Sequence, residues 1–453
     1  MTDTPPTVFD LLLTGATVVT VDDAATVVED GAVGILDGRI AWVGAAAALP
    51  AGARAAKRVA LPGRVLTPGL VNVHTHAILT MVRGVAEDLG FAPAYTPGIP
   101  HGHDVTPEEA IALARLGAVE ALLFGSTLIN DTYVHADLTL PAMADLGMRV
   151  YSCGRIHDAD FSLIGDGRWE YHREIGERTL GEALALADRW HGAYGGRAGV
   201  QLAAHAPDTC SDDLLRLIAT ESTRRGLRVN THLVQSRKEV EQVVRRSGMT
   251  PPQLLEEVGL LNDRLLAAHC IWMDDADIAR CGRAGINVAH IPKGNATGGT
   301  AAPTSKLRRA GARLTLGTDN MHADLVEVMR WALAIGRIQE DRVDAFWQPE
   351  DVLRMATRDG ARAMGLADEV GAIEVGKKAD LVAFDFRRPH LVPCIDPVGN
   401  LVHVAQGRDV EHVWVDGEQV VESGRPVKAD LETILADAQR ASQALWQRAR
   451  AGA

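Results

Sequence analysis

The stretch LTPGLVNVHTHAIL places His74 and His76 two residues apart in an apolar, strand-like run. Side chains at i and i+2 of a strand leave the same face. Two neutral imidazoles held that close chelate a divalent cation well; the plainer alternative is a hydrogen-bonded pair in the core. Three other apolar runs end in residues of the same kind: LRVNTH at His232, RLLAAH at His269 and ARLTLGTD at Asp319. Each could ligate a metal or hold a proton. One such strand end is ordinary. Several in one chain, following the His-x-His pair, point to a metal centre.

Something must bring these distant residues together. From roughly Leu66 to Leu366 the chain repeats helix, glycine, apolar strand. CSDDLLRLIATESTRRG is an amphipathic helix that starts near Ser211, stops at Gly226 and leads into LRVNTHL; APTSKLRRAG leads likewise into ARLTLGTD. Thr106, Pro107 and Glu109 form a capping box with proline in the first helical turn. This is the rhythm of a parallel sheet, and its length predicts an α/β fold with a (β/α)8, TIM-like barrel. Active sites of that fold gather at the C-terminal ends of the strands. The region before Leu66 reads as all-β, with a hairpin signal at Asp37-Gly38. The same texture returns in GAIEVGKKADLVAFDF and VEHVWVDGEQVVESGRPV. The expected organisation is therefore residues 1–65 as the first part of a small β-sandwich and 66–369 as the barrel. Residues 370–430 complete the sandwich from the other chain end, and 431–453 form a terminal helix.

The 453 residues are 47% hydrophobic and 23% charged, a globular composition that accommodates a barrel with an added domain. A net charge of −13 argues against nucleic-acid or anionic-membrane partners. No apolar run reaches the ~20 residues that span a bilayer, and the opening residues lack the basic and apolar regions of a signal peptide. The five cysteines contain no CxxC pair and read as reduced thiols of a cytoplasmic protein. Cys270 follows His269, and neighbours on a strand face opposite ways, so it is not expected to share a metal. The expected partner is a small-molecule substrate.

Nearly the whole chain carries a set of motifs: LTPGLVNVHTH, RGVAEDL, HAPDTCSDDLL, THLVQSRKEV, LLAAHCIWM, VAHIPKGN, LGTD and GAIEVGKKADLVAFD. Together they resemble the amidohydrolase superfamily of metal-dependent hydrolases. The nearest branch is that of cytosine deaminase, the adenosylhomocysteine/methylthioadenosine deaminases and the triazine hydrolases. The resemblance implies His74, His76, His232 and Asp319 as ligands of one divalent metal, zinc first, with iron, cobalt or manganese as alternatives. It implies Asp319 and His269 as catalytic residues, His269 polarising the substrate or orienting the water. His205, in AAHAPDT, would touch substrate or else be a structural histidine below the barrel mouth. No lysine is placed to bridge two metals, which favours a mononuclear site, and homo-oligomers are common in the family. His290 reads as a packed core residue.

The departures from the family pattern matter as much. Gln235 stands where relatives have a proton-shuttling glutamate, and Asn230 where many have another histidine. After Asp319 the chain reads NMHADLVEVMR, so His322 and Asp324 are unusual polar groups near the metal: Asp324 as a helix cap, His322 as a cap or a substrate contact. The loop RGVAEDLGFAPAYTPGIPHGHDV lacks the Trp-Leu pair of relatives and is expected to shape the pocket. Its His101 and His103 form a second His-x-His, but a Gly/Pro loop does not fix a common face, so no second metal is expected there. The candidate substrate contacts are His205, Gln235, His269 and His322. A glutamine cannot carry a proton at neutral pH. That moves the expected reaction from ring deamination to hydrolysis of an amide, urea or (thio)carbamate, as in the phenylurea and molinate hydrolases that the chain resembles more weakly. The alternatives are an aminohydrolase of a purine, pyrimidine, pterin or triazine, a triazine-type chlorohydrolase, and a non-catalytic metal-binding relative.

Overall fold

A computed structural model describes residues 8–89, 96, 98–320 and 322–452. Residues 1–7, read above for a leader, and 90–95 and 97 of the mouth loop lie outside the described residues.

The middle of the chain is a parallel barrel of strands β1 (Leu70–Thr75), β2 (Ser126–Tyr133), β3 (Arg149–Ile156), β4 (Leu202–Ala204), β5 (Val229–Leu233), β6 (Leu265–His269), β7 (Asn287–His290) and β8 (Arg313–Leu316). They are hydrogen-bonded in that order, with Ala198–Val200 as an extra segment on β3. The ring closes through a bridge between Thr75 and Asp319. Apolar residues of the strands pack with Ala361, Ala363 and Met364 from the segment that follows the barrel.

The helices start and stop where local chemistry dictates. Helix α1 (Pro107–Leu123) begins with the Thr106/Glu109 capping box. Helix α2 (Asp212–Arg225) is capped by Ser211 and ends at Gly226, which adopts φ +69°. Helix α3 (Arg237–Ser247) is capped by Ser236 and ends at Gly248. Helix α4 (Leu325–Glu340) is capped by Asp324, which accepts from the Glu327 N–H at 3.0 Å. Each cap satisfies backbone donors that a helix start leaves open.

The two chain ends build a separate sheet of nine strands, in which Arg64–Pro68 pairs with Leu381–Asp385 and joins the early strands to the late ones. Two Asp-Gly turns abut across it. A Cβ on Gly38 would lie 2.7 Å from the Asp416 carbonyl, and one on Gly417 would lie 2.9 Å from Ile35. Both glycines also have positive φ, so the contact and the turn each require them. This sheet is tied to the barrel by Arg149 of β3, which is 1% exposed. Its guanidinium donates to Asp380 at 3.1 Å and to Asp416 at 2.7 Å.

Helix α5 (Leu431–Gly452) packs on α1 through Ala438, Ala441 and Leu445. Trp446 Nε1–H donates to the Met81 carbonyl at 2.8 Å, bracing the turn that follows His76. No helix among the described residues is long and apolar enough to cross a membrane.

Candidate metal centre

Closing the barrel and assembling its centre use the same hydrogen bonds. The Asp319 N–H donates to the His74 carbonyl at 3.0 Å. The Asp319 carbonyl accepts from the His76 N–H at 3.0 Å and from Thr75 Oγ1–H at 2.9 Å. Gly317 makes this approach possible, since a Cβ there would sit 2.9 Å from the His74 carbonyl. Asp319 and His269 both hold left-handed backbone, φ +63° and +73°, a strain that clusters at functional sites.

His74, His76, His232, His269 and Asp319 are all buried and meet at the strands' C-terminal ends. Asp319 Oδ1 lies 3.3 Å from His76 Nε2 and 3.6 Å from His74 Nε2, and the Nε2 atoms of His76 and His232 are 3.3 Å apart. Tetrahedral zinc with bonds of about 2.0–2.1 Å separates its ligand atoms by about 3.3–3.4 Å. Among the described residues, the buried Nε2 of His74 has no hydrogen-bond partner. Both facts fit a divalent cation.

The outer nitrogens are held in place. His76 Nδ1–H donates to the Thr132 carbonyl, His232 Nδ1–H to the His205 carbonyl at 2.7 Å, and His269 Nδ1–H to Asn295 Oδ1 at 3.0 Å. Such bonds turn the Nε2 lone pairs inward. Burial pushes the pKa of His74 down to about 4 against the pull of Asp319. It holds His232 well below the usual histidine range, helped by His74 and His76, and lowers His269 as well. For His76, burial is outweighed by Asp319 and Asp131, and the pKa rises. Burial alone would raise Asp319, but the imidazoles of His74, His76 and His269 beside it hold its carboxyl well below the carboxylate range.

The other candidates stand in different relations to this centre. His205 packs its ring 4.9 Å from that of His232 and donates from Nδ1 to Thr209 Oγ1 at 2.8 Å. Gln235 is half-buried, and its side-chain amide makes no hydrogen bond to a described residue. Its backbone N–H donates to Glu239 at 2.8 Å. Among the described residues neither buried ring nitrogen of His322 has a partner, and burial, with Lys293 nearby, lowers its pKa to about 4. Asn230 is not at the mouth: it bonds Thr132, Cys153 and Gln201 in a polar layer beneath His232. His290 is 0% exposed and pairs in register with Leu316, away from the centre. Cys270 Sγ lies near the Ala267 carbonyl and takes no part.

Three residues with supporting roles were not singled out from the sequence. Asn295 orients His269. Glu239 accepts the N–H groups of Val234 and Gln235 at 2.7 and 2.8 Å. Asp131 accepts the Ala77 N–H at 2.7 Å, and burial raises its pKa to about 6. The first two lie inside motifs quoted above, VAHIPKGN and THLVQSRKEV. A buried-polar reading of those motifs would have found them.

A cavity of about 760 Å³ is lined in part by His103, Tyr133, Arg155, His157, Phe161 and Arg178; none of the five centre residues lines it, and it approaches them through Tyr133 and Phe161. The Tyr133 ring lies 5.7 Å from that of His76, and the Phe161 ring 4.9 Å from that of His205.

Residues 65–420 match the Amidohydrolase family. The chain is 36% identical to a 5-methylthioadenosine/S-adenosylhomocysteine deaminase of Desulforudis audaxviator, covering 92% of this chain and 95% of that one. It is 33% identical to a 5′-deoxyadenosine deaminase of Methanosarcina acetivorans, covering 98% and 100%. Among solved structures, an adenosine deaminase from Xanthomonas campestris with bound zinc superposes with a TM-score of 0.87 at 28% identity, covering 97% and 99%. Atrazine chlorohydrolase TrzN from Arthrobacter aurescens, complexed with zinc, superposes at 0.86 and 25% identity, covering 95% and 100%. This chain belongs to the amidohydrolase family and is a metal-dependent hydrolase of carbon–nitrogen bonds other than peptide bonds.

Proposed function

We propose that this enzyme hydrolyses an acyclic acyl C–N bond of a small molecule, an amide, urea or (thio)carbamate, at a single zinc ion. One observation carries the reading: Gln235 stands three residues after His232, where relatives have a glutamate, and among the described residues the carboxylates of Glu239 and Asp131 are engaged with backbone N–H groups. Among the described residues, Asp319 is left to move protons.

A divalent metal held by His74, His76, His232 and Asp319 would supply Lewis acidity, lowering the pKa of water from 15.7 to about 7. Asp319 accepts the proton of the attacking water and returns it to the leaving nitrogen. His269, with Nδ1–H bound to Asn295, turns an Nε2 lone pair to the centre and orients the water. The amide of Gln235 offers a donor and an acceptor to the substrate, and the neutral rings of His205 and His322 offer further polar contacts. An aromatic amidine would need its ring nitrogen protonated as water adds, and an amide cannot do that.

The test is a turnover screen of the zinc-loaded enzyme on ureas, carbamates, amides and aminated heterocycles, with amine and ammonia assayed separately. Amine release from acyclic substrates is expected. Efficient ammonia release from adenosine derivatives, with none from acyclic compounds, overturns the reading. That outcome is the second reading, favoured by the deaminases at 33–36% identity, with Gln235 as a hydrogen-bonding substitute. The proposal includes a cytoplasmic homo-oligomer, in keeping with five unpaired cysteines.

A further inference from the structure

We propose a second divalent-cation site, separate from the catalytic centre, formed by His101, His103 and Asp104 at the barrel rim. A Gly/Pro loop gave no reason to expect a shared face for the two histidines. The chain instead folds Gly102–Asp104 into a 3-10 turn. There the rings of His101 and His103 stack 6° from parallel, with centroids 5.4 Å apart. His103 Nε2 lies 3.5 Å from Asp104 Oδ1, and His101 Nδ1 lies 3.9 Å from Asp104 Oδ2. One donor atom from each of the three residues falls within 4.8 Å of the others. The catalytic centre shows 3.3–3.6 Å for its pairs; here the two His–Asp pairs stand at 3.5 and 3.9 Å on different carboxylate oxygens, so side-chain rotation about the turn is what brings the three donors to the spacing of zinc ligands.

The turn is held before any ion arrives. The His101 N–H donates to Asp104 Oδ2 at 2.7 Å, and the Asp104 N–H to the His101 carbonyl at 3.0 Å. Arg448 of α5 donates to the Asp104 carbonyl at 3.1 Å. Gly102 lies against the Tyr133 ring, 2.8 Å from where a Cβ would be. Two imidazoles and one carboxylate select zinc, cobalt or nickel over magnesium or calcium, which prefer all-oxygen sets. His103 and Asp104 are 54% and 39% exposed, so the ion exchanges readily and binds more weakly than at the buried centre. Gly102 and His103 also line the large cavity with Tyr133. The second ion therefore sits on the cavity wall, across Tyr133 from His76.

The experiment is equilibrium dialysis of the metal-stripped full-length enzyme against zinc, with metal counted per chain; it uses no turnover assay, so its failure is separate from failure of the proposed reaction. The wild type is expected to show two classes, one tight and one weaker. His101→Ala/His103→Ala should keep the tight class and lose the weak one. His103→Ala alone, at an exposed position, should weaken that class at least tenfold even if the double variant fails to fold. Cobalt titration should show a second absorption increment in the wild type that is missing from the variants. One class in the wild type, or a weak class unchanged in a folded variant, overturns the site.

Discussion

Gln235→Glu exchanges an amide for a carboxylate of the same shape at a half-buried position tied to no described side chain. The backbone anchor, Gln235 N–H to Glu239 at 2.8 Å, survives the change, so the new carboxylate takes the amide's place three residues from His232. A positioned general acid contributes ~10²–10⁴-fold. At ~1.36 kcal/mol per tenfold, that is ~2.7–5.4 kcal/mol of barrier. Ring deamination should gain on this scale, read as ammonia release from 5′-deoxyadenosine and methylthioadenosine by the zinc-loaded variant. Hydrolysis of a preferred urea or carbamate should change by less, because Asp319 still carries its proton. The reasoning is refuted if the wild type deaminates these nucleosides at a rate the variant does not exceed.

Asp319→Asn should retain the fold by circular dichroism yet lower kcat at least ~10²-fold, since the proton acceptor is gone. Glu239→Gln keeps one acceptor oxygen and sets its NH2 group against the other backbone N–H donor. It should cost ~1–3 kcal/mol in thermal unfolding and lower kcat/KM by displacing Gln235. Arg149→Met leaves Asp380 buried without its cation, a loss of ~3–5 kcal/mol in urea unfolding. The same network sets an acid dependence. Burial opposes ionisation of Asp416, but Arg149 and Arg197 hold its pKa below the carboxylate range. Its folded pKa is thus below its unfolded one. The stabilisation is complete above the unfolded value of ~3.9 and is lost as pH falls through the folded value; a pH series of melts should show a shallower acid slope in Arg149→Met. Stripping the metal should lower the melting temperature in a concentration-dependent way, restored by zinc, and His232→Ala should remove that response.

Much of this was legible in one dimension because local rules governed it. Thr106, Pro107 and Glu109 announce a helix start, Gly226 a helix stop, and Asp37-Gly38 and Asp416-Gly417 tight turns, whatever packs around them. The His74/His76 spacing places both imidazoles on one face, which is what made a shared metal the expectation. Asn295, Glu239 and Asp131 were harder, because their roles lie in which distant backbone or ring nitrogen they meet. Asn230 shows the same limit from the other side. Noted in the sequence only as standing where many relatives have a histidine, it lies on the same face as His232 one layer deeper, bonded to Cys153 and Gln201. The His101–Asp104 turn depends on Tyr133 and Arg448, neither of which is near it in sequence.

The seam at Asp319 also orders events in time. Its carbonyl meets the Thr75 hydroxyl across 244 residues of chain, one of the costlier loops for this fold to close. Until that closure, the histidines of β1, β5 and β6 belong to an open ring whose first and last strands both present bare edges. A nascent chain that stops short of Asp319 has three of the four proposed ligands and no closed barrel. A site that needs all four proposed ligands is complete only once β8 has docked on β1. Any change that slows docking of β8 on β1 prolongs the exposure of those two edges to other chains.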